Sequence, residues 1–236
     1  MKHLVYVGNK LSKSGRTQST IDTLSTLLQA EGFIVNTAST HTNKLLRLGD
    51  MVWTIIKYAK RTDYVLIDTY STQNFYYAYI CALFCQLLGL RYIPILHGGN
   101  LPKRLETHPK LSAALFKKAY INCAPSPYIK AAFLHCGYTN VIGIPNSVTI
   151  HTYPFKMRVM DNINILWVRS FSEIYNPKLA VNILKGLHQR GISAGLCMVG
   201  PEVDGALKAT KNYAKTMNVD VTFTGQLSNK ESRADS

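Results

Sequence analysis

The sequence predicts an α/β protein of two Rossmann-like domains, the first complete and the second partial. Three observations predict it: short apolar runs alternate with longer amphipathic segments, the alternation breaks once after Pro145, and it then restarts for three more runs. Runs that are apolar throughout, rather than at every second position, belong to strands buried on both faces, which means a parallel sheet with helices against it.

The strand runs are His3 to Val7, Phe33 to Ala38, Tyr64 to Asp68, Arg91 to Leu96, Tyr120 to Ala124 and Val141 to Ile144. Helices are expected near 17–30, 44–61, 74–89, 109–119 and 126–136. These make a first domain over residues 1–148. Residues 149–161, with Pro154 and the basic Lys156 and Arg158, read as a linker. The domain at 162–236 holds strands at Ile163 to Val168, Ala194 to Val199 and Val219 to Thr224, with helices at 177–190 and 203–217. Residues 228–236 are polar and without periodicity, so this domain is expected to stop midway and to leave an open sheet edge.

Hydrophobic residues are 47% of the 236 and charged ones 17%, which supports a packed core and excludes a disordered chain. The net charge of +14 is unevenly spread: residues 1–160 carry 18 Lys and Arg against 6 Asp and Glu, the remainder 9 against 7. A basic front half suits a phosphate-bearing substrate, an anionic membrane surface or nucleic acid; lysines kept for solubility are the plain alternative. The five cysteines form no Cys-x-x-Cys pair and no spacing with histidine, so no metal site and no disulfide framework are expected, only reduced core residues in cytosol. A strand begins at once, leaving no room for a signal peptide. The run Tyr76 to Leu90, broken by Gln86, is too short for ~30 Å of hydrocarbon and reads as a buried helix.

Four segments could carry chemistry. The loop Gly8 to Gly15 precedes a helix, whose free N–H groups suit phosphate, although Arg16 and the wide glycine spacing exclude a Walker A loop. His97, Gly98, Gly99 and Asn100 follow the fourth strand at the carboxyl edge where parallel sheets gather ligands; a histidine there could bond a sugar hydroxyl or a phosphate, or stand exposed on a tight turn. On the helix at 43–61, Leu45, Leu48, Val52, Ile55, Ile56 and Ala59 share one arc, with Lys44, Arg47, Lys57, Lys60 and Arg61 elsewhere. Such a stripe packs on its own sheet or lies on an anionic membrane. Arg169, directly after a strand, could clamp a diphosphate or pair with Glu173.

Taken in order, His97-Gly98-Gly99, Ala124-Pro125-Ser126, Ile144-Pro145-Asn146-Ser147-Val148, Ile165 to Arg169, Met198-Val199-Gly200-Pro201 and Val221 to Gly225 resemble the family 4 retaining glycosyltransferases of the GT-B fold. The resemblance implies transfer of a hexose from a nucleotide-sugar to a glycan or lipid-phosphate acceptor in polysaccharide or glycolipid synthesis, with no cofactor beyond the donor. It puts His97 near the reacting sugar as the catalytic candidate, and Gly98, Gly99 and Asn100 on the acceptor. Gly8, Gly15 and Arg169 fall to the donor diphosphate. It also implies a cytoplasmic enzyme or one peripheral on the inner membrane surface. Two departures stand out: Val168 precedes Arg169 where the family has glycine, and Tyr175 occupies the family's lysine position, with Lys178 nearby as a donor-binding candidate. The family's Glu-x7-Glu motif is absent, so the chain by itself is expected to be inactive. A non-enzymatic sugar or phosphate module, or a partner subunit, is the second reading. A basic nucleic-acid-binding protein ranks last, because no interleaved basic-aromatic motif is present.

Overall fold

A computed structural model of the chain describes residues 1–10, 19–146, 157 and 162–227. Gly15, Ser147 and Val148, the tail from 228 and, Met157 apart, the segment expected as a linker therefore lie outside the described residues. The chain forms two compact units, residues 1–149 and 150–236.

In the first unit the order is β1 (His3–Val7), α1 (Thr20–Ala30), β2 (Ile34–Ala38), α2 (Lys44–Tyr58), β3 (Tyr64–Tyr70), α3 (Asn74–Leu87), β4 (Tyr92–His97), α4 (Leu101–Thr107), α5 (Pro109–Phe116), β5 (Asn122–Ala124), α6 (Pro127–His135) and β6 (Val141–Gly143). The six strands pair in parallel in the order β2-β1-β3-β4-β5-β6. The chain thus winds one way from β1 to β2 and the other way from β3 onward. The carboxyl ends of β1 and β3 consequently flank the crevice at which such sheets bind ligands.

The sheet buries both faces. Val5, Val7, Val65 and Ile67 point toward α2 and α3, in a cluster that also holds Phe75, Phe116, Phe133 and Tyr138. Leu4, Tyr6, Val35 and Leu66 pack with Ile21 of α1 on the other side. Local signals set the helices: Asn43 caps α2 by accepting from the N–H groups of Leu45 and Leu46, and Ser126, followed by Pro127, caps α6 by accepting from Ile129.

Three sequence expectations change. Asn100 and Pro102 start a helix, α4, where only a loop was expected, and a break at His108 (φ −133°, ψ 58°), just ahead of Pro109, separates α4 from α5. Strands β3 and β4 run on to Tyr70 and His97, placing these two residues opposite one another. The buried face of α2 is Arg47, Met51, Thr54 and Ile55, rotated from the expected stripe; Leu45 and Ile56, which belonged to that stripe, are exposed. The rotation follows from Arg47, whose guanidinium finds enough acceptors to be buried. Cys81 and Cys85 are core, as expected, whereas Cys136 is exposed.

The second unit holds β7 (Ile163–Val168), α7 (Pro177–Gln189), β8 (Ala194–Val199), α8 (Ala206–Met217) and β9 (Thr222–Gly225), with strand order β7-β8-β9, all parallel. Its core gathers Phe171, Val181, Leu184, Leu196 and Met198, with Trp167 4.7 Å from Phe171 between ring centroids.

Phe116 is fully buried, with its ring centroid 4.8 Å from Phe133, 5.9 Å from Tyr138 and 6.2 Å from Phe75. Phe116→Ala should therefore lower the stability of the first unit by about 3–5 kcal/mol, whereas Tyr138→Phe, which keeps the ring, should cost under about 1.5 kcal/mol. Urea unfolding followed by circular dichroism measures both.

Candidate functional site at the sheet edge

The parallel register puts Tyr6 opposite Leu66, and Tyr70 opposite His97. Side chains two positions apart share a face, so Asp68 stands on the face of Leu66 and Tyr70 and lies diagonally between Tyr6 on β1 and His97 on β4. Its Oδ1 accepts from the Tyr6 hydroxyl at 2.8 Å and meets His97 Nε2 at 2.9 Å. The Tyr70 ring stacks on the His97 ring with centroids 4.8 Å apart and an interplanar angle of 24°. All four residues but Tyr70 are buried. Burial first, and the Asp68 charge second, push the hydroxyls of Tyr6 and Tyr70 far above the usual phenol range, so both stay neutral.

The second oxygen of Asp68, Oδ2, is buried without a partner. Gly8 lies against it: a Cβ at that position would overlap the carboxylate, so only glycine lets the chain leave β1 this closely. Beneath them a cavity of about 10 Å³, lined by Gly8, Asn9, Asp68, Tyr70 and Asn74 among others, has room for about one water. No sugar fits there.

Arg47 ties down the same edge. Its Nε donates to the carbonyl of His41 (2.8 Å), Nη1 to Asn9 Oδ1 (2.9 Å) and Nη2 to the carbonyl of Thr42 (2.9 Å). Ser19 Oγ donates to the Asn9 carbonyl at 2.9 Å, so Asn9 is gripped from both sides. The basic outer flank expected for Arg47 is thus wrong, because three oxygen acceptors replace water around its guanidinium. After His97, Gly98 turns with φ of 87°, Gly99 is open to space, and the Asn100 carbonyl accepts from Arg104 N at the start of α4. Arg104 Nη1 donates to the Ser71 carbonyl at 2.9 Å, and its guanidinium lies 4.2 Å from the Phe75 centroid and 5.1 Å from that of Tyr76.

In the second unit Arg169 is exposed at the carboxyl end of β7. It forms no ion pair with Glu173; its guanidinium sits over the Tyr175 ring, 4.6 Å from the centroid. Lys178 instead lies over Tyr213, 5.6 Å from the centroid, and lines a cavity of about 260 Å³ with Asn176, Asp204 and Thr210. The two cations expected on one diphosphate are therefore held by different rings. At the start of α8, Glu202 accepts from the N–H groups of Val203, Asp204, Gly205 and Leu207.

The structure thus joins Gly8 to His97 through a residue that motif reading missed, Asp68. Its signal was present: a carboxylate in an otherwise apolar strand. The exposed histidine considered for His97 is excluded, since β4 continues through it into the core. Among the described residues no group of three or more His, Cys, Asp or Glu side chains could hold a metal, and no helix is long and apolar enough to cross a membrane.

No protein-family model and no curated protein matches the chain. Solved structures do. The chain is similar to the apo lipopolysaccharide outer core galactosyltransferase WaaB, with a TM-score of 0.63 at 14% identity over 99% of this chain and 70% of that one. It is similar to a glycosyltransferase from Rickettsia africae, with a TM-score of 0.60 at 13% identity over 97% and 69%. It is likewise similar to a putative UDP-N-acetylglucosamine 2-epimerase from Listeria monocytogenes, with a TM-score of 0.60 at 12% identity over 99% and 71%. At such identities the likeness defines the fold alone: two parallel, Rossmann-like sheets of the GT-B class.

The Gly8 contact predicts an asymmetry between glycines. Gly8→Ala should destabilise the first unit by about 1–3 kcal/mol, because the colliding carboxylate is fixed on both sides. Gly99→Ala, with nothing within 4 Å, should stay within about 0.5 kcal/mol. Equal melting of the two variants in a thermal scan would remove the packing role given to Gly8.

Proposed function

We propose that the protein handles nucleotide-sugars as a glycosyltransferase of the family 4 type, directing a hexose to a glycan or lipid-linked acceptor in polysaccharide synthesis. The observation that carries this is Arg169: a cation at the carboxyl edge of a parallel strand, exposed, unpaired with Glu173 and braced on Tyr175. A braced guanidinium offers a planar, charge-assisted fork to a diphosphate. His97, with Gly98, Gly99 and Asn100, belongs to the sugar and acceptor side, and Gly8 and Lys178 to the donor side. Because the sequence holds no two glutamates eight positions apart, we expect the 236-residue chain to bind without turning over.

Calorimetry with UDP tests this. Arg169→Ala should weaken binding by about 1.5–3 kcal/mol, and Arg169→Lys should recover only part. Equal affinities of wild type and alanine variant would return Arg169 to the surface. The likeness to an epimerase favours one second reading, a nucleotide-sugar epimerase, which also binds UDP but needs no acceptor.

We also propose that the acceptor is met at an anionic membrane surface, in the cytoplasm. On α2, Leu45 (81% exposed), Leu46 (61%), Trp53 (62%) and Ile56 (43%) lie on the side away from Arg47, Met51, Thr54 and Ile55. Lys57 falls on the last turn, with Lys60 and Arg61 just beyond it. Apolar and cationic groups so combined suit the lipid interface. Replacing Lys57, Lys60 and Arg61 by glutamine should weaken binding to anionic vesicles by up to about 1 kcal/mol per charge near the surface. Indifference of wild-type sedimentation to the anionic lipid fraction would overturn the contact.

A further inference from the structure

One edge of the Arg104 guanidinium is empty. Arg104 stands on α4, and its Nη1 donates to the Ser71 carbonyl at 2.9 Å, in the loop between β3 and α3. The guanidinium also lies over the rings of Phe75 and Tyr76. Anchored at one nitrogen and stacked, it leaves Nε and Nη2, and both are shielded from water and bond nothing. These two make the side-on fork of a guanidinium, whose parallel N–H donors match two oxygens of one carboxylate or phosphate. Dry, unpaired donors on a charged group are costly, and buried polar groups are nearly always bonded. The loop they face favours an anion. At the start of α3, the capping residue Gln73 makes no side-chain bond to the helix and the first turn holds no acid, so the positive end of α3 is uncompensated. Lys44 Nζ donates to Gln73 Oε1 at 2.7 Å, a neutral partner that brings a second cation to the same turn and cancels none of its charge.

We propose that Arg104 and Lys44 form an anion site at the start of α3, and that it takes the phosphate of a lipid-linked acceptor. Two phosphate oxygens meet the Nε and Nη2 fork and a third is left for Lys44; a carboxylate has no third oxygen to give. Phe75 is fully buried whereas Tyr76 is exposed, so Tyr76 is the cover that moves aside to admit the ligand. The lipid source follows from what adjoins the site. Leu45 and Leu46, directly after Lys44, are exposed and unpartnered apolar surface, so a phosphate held beside Lys44 has a place for the chain it carries. The inference rests on the lipid-linked acceptor proposed above and narrows it to a phosphate-bearing one, read by Arg104.

Calorimetry with octyl phosphate, inorganic phosphate and octyl glucoside, each kept below micelle formation, tests the site and its source separately. Wild type should bind octyl phosphate roughly tenfold or more tightly than inorganic phosphate, which lacks the tail, and than octyl glucoside, which lacks the charge. Arg104→Gln should weaken octyl phosphate binding roughly tenfold or more, Arg104→Lys should recover only part, and Lys44→Gln should cost roughly threefold. Equal binding of octyl phosphate by wild type and Arg104→Gln would overturn the site, and inorganic phosphate binding as tightly as octyl phosphate would overturn the lipid source. If neither arginine variant folds, the exposed Lys44 decides: unchanged affinity in Lys44→Gln overturns the site. Binding of UDP that depends on Arg169, with no binding of octyl phosphate, sinks this proposal and leaves the glycosyltransferase reading standing. Arg104-dependent binding of octyl phosphate without binding of UDP does the reverse.

Discussion

The first unit depends on one buried carboxylate. Asp68 joins the ends of β1, β3 and β4 through Tyr6, its own strand and His97, at the point where the winding of the sheet reverses. An isolated carboxylate at this depth would be very costly, and here it is offset by two donors on one oxygen. The other oxygen lies against Gly8, beside the water-sized cavity. Such networks specify one arrangement strongly, because every alternative strands more polar groups. The close approach of the Gly8 backbone follows from it.

A second theme comes from the scarcity of acids. With 27 lysines and arginines against 13 aspartates and glutamates, most cations cannot find a carboxylate. Aromatic rings take that place: Arg91 lies over Tyr120, Arg104 over Phe75 and Tyr76, Arg169 over Tyr175, and Lys178 over Tyr213. Each such contact is worth about 0.5–1 kcal/mol when exposed, and it leaves the charge uncancelled. Positive potential is thereby kept at the surface while the side chains are held in place. Tyr175 plays this part for Arg169, whose guanidinium it orients.

The fold was largely legible in the sequence, because buried parallel strands announce themselves as unbroken apolar runs, and Ile163 to Val168 and Ala194 to Val199 coincide with the observed strands. Boundaries were less so. Tyr70 and His97 look like loop residues until pairing across two strands shows that each completes the other's ladder. The site was half legible: His97 and the glycines carry local turn chemistry, but Asp68 gains its meaning only from residues 62 positions upstream and 29 downstream. Arg47 misled for the same reason, since periodicity assigns a cation to solvent and cannot see three acceptors supplied by two separate loops.

The neutral Tyr6 hydroxyl also sets an alkaline limit. Its ionisation in the folded state is raised above the ordinary value of 10.0, by burial first and by Asp68 second. The unfolded chain therefore releases that proton at lower pH than the folded one. The contribution of Tyr6 to stability is whole below about pH 10 and is withdrawn as alkalinity rises beyond it. A phenolate there would face a carboxylate that can neither move nor accept its charge, so the hydroxyl that organises the sheet edge at neutral pH becomes, in strong base, the place where that edge comes apart.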